Sequence, residues 1–70
     1  MIYFTKYAEK KFSVLNDHKV FIRREEVETA LATPDKRGRI GACLTAEKGG
    51  VKVIYQKEGD VKRVITFYPC

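Results

Sequence analysis

The chain has 70 residues and a net charge of +5, from 14 Lys and Arg against 9 Asp and Glu, and 44% of it is hydrophobic. That is one small domain, 1–70, with too much apolar content for a disordered chain and no apolar run near the roughly 18–20 residues of a membrane span. The start, MIYFTKYAEKK, has no cationic segment ahead of a long apolar one, so no signal peptide is expected and the chain reads as cytoplasmic. Cys43 and Cys70 are too few for a disulfide scaffold and make no CxxC or Cys/His pattern, so free thiols, no metal and no cofactor are expected.

In chain order, Met1 to Phe4 is a short apolar run that reads as a strand. Thr5 is placed to cap a helix, with Ala8, Phe12 and Leu15 at the i, i+4, i+7 spacing of one buried face. Asn16-Asp17-His18 ends it in a polar turn. A second helix follows: with Arg23 as cap, Ile22 and Val27 have the spacing of a hydrophobic staple, and Glu25 and Glu26 suit the positive end of the helix dipole. Val27, Ala30 and Leu31 form its buried stripe, and Pro34 stops it. Pro34 to Arg39 reads as a basic loop, and Arg39 to Ala46 as a strand with Ile40, Ala42 and Leu44 on one face. Glu47 to Gly50 reads as a turn into a hairpin, GVKVIYQKEGDVKRVITFYP, with its tip at Lys57 to Asp60. In its first run Val51, Val53 and Tyr55 point one way and Lys52, Ile54 and Gln56 the other; the face of the last run is ambiguous.

The predicted order is β-α-α-β-β-β: an α+β two-layer domain with two N-terminal helices on an antiparallel sheet. The expected core is Phe12, Leu15, Ile22, Val27, Leu31, Ile40, Leu44, Val53 and Tyr55.

Charge is unevenly placed. Residues 1–35 are neutral, while residues 36–70 hold eight Lys and Arg against three acids and carry the whole +5. A one-sided basic surface fits a polyanion such as RNA, or an acidic protein. The sequence has no phosphate-binding Gly-rich loop, GxSxG or HExxH, and its single histidine, His18, has no companion acid or nucleophile at a telling spacing. What remains is a set of cations and tyrosines: Arg37, Arg39, Lys52, Tyr55, Lys62, Arg63 and Tyr68. Cations hold phosphates and aromatic rings stack on the bases of single-stranded RNA. Arg and Lys also stabilise charge growing on a phosphate during cleavage.

The segment Gly50-Val51-Lys52-Val53-Ile54-Tyr55, a turn, and Val61 to Thr66 resembles the strand pair of RelE-type toxins, the ribonucleases of toxin–antitoxin pairs. More of the chain resembles a small prokaryotic family of uncharacterised proteins with a RelE-like fold. The matching pieces are Phe4-Thr5-Lys6-Tyr7-Ala8, Ile22-Arg23-Arg24-Glu25-Glu26-Val27, Pro34-Asp35 and Val64-Ile65-Thr66-Phe67-Tyr68. Tyr7 stands where that family has His, and Arg23 where it has a Ser or Thr cap. The toxins continue past the last strand into a basic segment used in catalysis, where this sequence has Cys70.

The resemblance implies a metal-independent endoribonuclease acting on mRNA, with ribosome-bound mRNA included. Lys52 stands where the toxins often carry a catalytic Arg. For that activity the candidate catalytic residues, read from the basic sheet, are Lys52 and Arg39 to stabilise the phosphate and Tyr55 and Tyr68 to stack on a base, with Arg37, Lys62 and Arg63 binding RNA. Two other readings stay open: a non-catalytic RNA- or protein-binding module on the same fold, and a small protein stabilised as a homodimer or by an acidic antitoxin-like partner.

Overall fold

A computed structural model describes residues 1–70. The elements are β1 (Ile2–Phe4), α1 (Lys6–Asp17), α2 (Arg24–Ala32), β2 (Lys36–Ile40), β3 (Cys43–Lys48), β4 (Val51–Glu58) and β5 (Val61–Pro69). They build an α+β domain in which two helices cover one face of a five-stranded sheet of order β1-β5-β4-β3-β2. No helix is long and apolar enough to cross a membrane.

Both helices begin where local chemistry places them. The Thr5 hydroxyl accepts the Ala8 N–H at 3.2 Å and donates to the Val64 carbonyl at 3.0 Å, so the cap of α1 is also a tie to β5. Arg23 caps α2 without a side-chain bond, and the flanking Ile22 and Val27 are both buried. Arg24 joins the two helices: it meets Glu9 at 2.6 Å, and its guanidinium lies 4.4 Å from the Phe4 ring centre.

The end of α1 is a Schellman turn. Val20 N–H bonds to Leu15 O at 2.8 Å and Lys19 N–H to Asn16 O at 2.9 Å, while Leu15 and Val20 both pack against the core. Lys19 occupies the position that favours glycine, at φ 59°.

Two expectations about the sheet are corrected. First, the supposed basic loop and the strand after it are two strands, β2 and β3, reversing at Gly41-Ala42. Gly41 takes φ 58°, which a strand running through it would not allow. The reversal sends Ile40 to the sheet edge, where it is 51% exposed instead of in the core. Second, the sheet is mixed. β2 to β5 form an antiparallel meander, and β1 lies parallel to β5, which the long intervening chain through both helices and strands β2 to β4 permits.

The core joins Ala8, Ile22, Val27, Ala30 and Leu31 to Ala46, Val51, Val53, Val64 and Phe67. Phe12, Leu15 and Tyr55 pack against it, partly buried. Phe12 stacks at a tilt 4.5 Å from Phe67. Val64 and Phe67 are both fully buried although three residues apart, because the β4–β5 pairing jumps from Tyr55↔Val64 to Ile54↔Thr66. Ile65 is the extra residue of this β-bulge.

Relief of the left-handed strain at Lys19 is directly measurable. Lys19→Gly is expected to stabilise the domain by about 1 kcal/mol, a rise of roughly 4–8 °C in Tm. A fall in Tm would mean that the turn does not hold Lys19 in that conformation.

Candidate nucleic-acid interface

Strand register assigns each basic side chain to a face. On the helix side, Tyr55 and Lys57 of β4 share a face with Val51 and Val53. On β5, Lys62 pairs directly with Lys57, and Val64 with Tyr55. On β2, Arg37 and Arg39 stand opposite Ala46 and Leu44. All of these lie on the helix-bearing side, where α2 stops at Ala32 and leaves the end of the sheet uncovered.

The uncovered part forms a concavity of about 270 Å³ lined by Leu31, Arg37, Gly38, Leu44, Thr45, Tyr55, Lys57 and Lys62. Three strands each contribute one cation to it, and no carboxylate lines it. Gly38 permits the close approach of β2: a β-carbon there would lie 2.9 Å from the Thr45 hydroxyl. Lys62 Nζ donates to the Leu31 carbonyl at 3.0 Å, which satisfies a terminal acceptor of α2 and points the ammonium toward the concavity's helical wall. Arg39 and Lys57 also line an adjoining groove with Ala42, Leu44, Gln56 and one carboxylate, Glu58.

The far side of the sheet differs. Lys52 and Tyr68 face each other across β4 and β5, with Lys52 Nζ 5.9 Å from the Tyr68 ring centre. Lys11 reaches the same ring from α1 at 5.7 Å and donates to Thr66 Oγ1 at 3.1 Å. Glu47 lies 3.6 Å from Lys52. Arg63 sits beside Tyr3 and 3.7 Å from Glu58. The Lys52 pKa is raised, chiefly by the charge of the neighbouring Tyr68 oxygen; burial opposes this, and hydrogen bonding to Tyr68 and the Glu47 carboxylate add to it. Lys52, like any lysine at or above 10.5, is a cation near neutral pH, suited to charge stabilisation and unsuited to taking a proton.

The residues singled out from the sequence therefore divide. Arg37, Arg39, Tyr55 and Lys62 come together on the helix side, while Lys52, Arg63 and Tyr68 lie on the other. The two ion pairs of the basic half neutralise Lys52 and Arg63; Arg37, Arg39, Lys57 and Lys62 have no carboxylate partner. Lys57, which reads as part of the hairpin tip, joins the site because β4 runs on to Glu58. Its position two residues after Tyr55 is the signal in the sequence that places it on the same face.

Elsewhere, a groove of about 390 Å³ between α2 and the Gly49 turn is lined by Glu25, Glu26, Thr29 and Lys48, and its two carboxylates disfavour a polyanion. No group of three or more His, Cys, Asp or Glu is gathered as metal ligands. His18 is exposed at the end of α1, and both cysteines are free thiols. Comparison with protein-family models, with curated proteins and with solved structures finds no match.

The raised Lys52 pKa fixes the sign of a pH effect. Its contribution to stability is fully present below the ordinary value of 10.5 and is lost as pH rises through the higher folded value. Lys52→Met is expected to lower Tm slightly at pH 7–9, where the Glu47 ion pair is lost, with the gap from the parent closing as pH rises through the folded value. A gap that stays constant across that range would contradict the assignment.

Proposed function

We propose that this domain binds single-stranded RNA on the helix side of its sheet, in a RelE-like arrangement. The strand–helix–helix order followed by an antiparallel meander supports that arrangement. One observation carries the binding reading: four cations without acidic partners, Arg37, Arg39, Lys57 and Lys62, surround the same uncovered end of the sheet as Tyr55. Unneutralised cations bind phosphates by releasing counterions, and a tyrosine beside them offers a ring for a base.

A toxin-like endoribonuclease is the second reading, favoured by the Lys52–Tyr68 pair on the far side, where a cation and a phenol lie together. Metal-independent cleavage there would use Lys52 to stabilise the phosphate attacked by the ribose 2′-OH. Arg39 and Tyr55, on the opposite side of the sheet, would serve binding in that case.

Four phosphate contacts give single-stranded RNA binding a slope of roughly −3 in log K against log salt, and each Arg or Lys removed from the site reduces it by about 0.7. Fluorescence anisotropy with a labelled oligonucleotide, chelator present, measures both. Arg37→Ala and Arg39→Ala are expected to weaken binding and flatten the slope, while Lys52→Ala leaves both unchanged. A loss confined to Lys52→Ala would move the site to the far face. RNA cleavage that Lys52→Ala abolishes would establish the nuclease reading.

A further inference from the structure

Lys57 and Lys62 are direct cross-strand partners on one face of β4 and β5. Like charges so placed repel and cost stability. The rest of the hairpin avoids this arrangement: Arg63 pairs with Gln56 and has Glu58 within 3.7 Å, and Lys52 pairs with Tyr68 and has Glu47 within 3.6 Å. At the lysine pair no carboxylate intervenes, and Arg37 adds a third cation from β2 to the same concavity. A cost to stability kept at a concave site is the mark of a site shaped by a ligand.

The volume and the charge together narrow what that ligand is. About 270 Å³ is small, below the usual range of roughly 300–1,000 Å³ for pockets that enclose drug-sized molecules. Three cations exceed what one internal phosphodiester, with a single negative charge, requires. A terminal phosphomonoester carries roughly −1.5 to −2 at pH 7 and three strong acceptor oxygens. Arg37 offers a planar fork, and the two lysines offer point charges with donors to spare, since Lys62 has two ammonium protons beyond the one given to Leu31. Leu31 and Leu44 supply apolar wall and Tyr55 a ring for the sugar and base next to the phosphate.

We propose that this concavity holds the phosphorylated end of an RNA strand, its terminal phosphomonoester seated among Arg37, Lys57 and Lys62. The inference rests on the RNA-binding reading and gives it a polarity: the strand is held by one end, and its following phosphates run along Arg39.

The test compares three otherwise identical short single-stranded RNAs, bearing a 5′-phosphate, a 3′-phosphate or neither. One phosphorylated form is expected to bind about tenfold more tightly than the unphosphorylated strand, and which form does so identifies the end that is held. Equal affinity for all three overturns the terminal-phosphate inference and leaves the RNA-binding reading standing. No binding of any of them at low salt overturns both. Lys57→Gln supplies an independent arm. Removing the repulsion is expected to raise Tm in the absence of ligand and to erase the preference for the phosphorylated end. A Lys57→Gln protein that melts lower than the parent, or that keeps the preference, contradicts the site. Inorganic phosphate is expected to raise the Tm of the parent more than that of Lys57→Gln, and an equal rise in both counts against it.

Discussion

Val64 and Phe67 must both enter the core, yet they are three positions apart, and a regular strand would send them to opposite faces. The bulge at Ile65 reconciles the two requirements by adding one residue to β5. It is held from the neighbouring edge of the sheet. Thr5 donates both its N–H, at 3.2 Å, and its hydroxyl, at 3.0 Å, to the Val64 carbonyl, while the same hydroxyl caps α1. The edge strand, the first helix and the central hairpin therefore meet at one place, and the packing of Phe12 on Phe67 depends on it.

The same bulge distributes the charge. Lys62 and Tyr68 are six residues apart and would share a face in a regular strand; the added residue puts them on opposite faces. Lys62 thus stays with Lys57 and Tyr55 on the helix side, and Tyr68 joins Lys52 and Thr66 on the far side. The short α2 completes the division. Its nine residues end at Ala32, so it covers Ala46 and Val53 and leaves the end of β4 and the start of β5 open. The far side spends its cations on Glu47, Glu58 and tyrosine rings. On the helix side, Arg37, Arg39, Lys57 and Lys62 have no carboxylate partner.

Much of this architecture is legible in the sequence because local chemistry specifies it. Thr5 as a cap, the Ile22 and Val27 staple, Pro34 as a stop and the Gly49-Gly50 turn each act through neighbours in the chain. Strand β2 is not legible: Lys36 to Ile40 is exposed throughout, so Lys-Arg-Gly-Arg-Ile has no buried face to impose a period of two. Its partner strand and the positive φ of Gly41 define it, and neither is visible in composition. The bulge is invisible for a related reason, since its extra residue is selected by burial of Phe67. Without these two features the cations of the basic half read as one surface. With them, Arg37, Arg39, Tyr55 and Lys62 belong together, Lys57 joins them, and Lys52, Arg63 and Tyr68 form a separate face.

The proposed anion-binding face is located by an NMR titration of isotopically labelled protein with a short 5′-phosphorylated single-stranded RNA. Amide shift changes are expected to concentrate at Arg37, Arg39, Tyr55, Lys57 and Lys62, around the concavity at the end of α2. Changes concentrated instead at Tyr3, Lys11, Lys52, Arg63 and Tyr68, on the far side of the sheet, would contradict it.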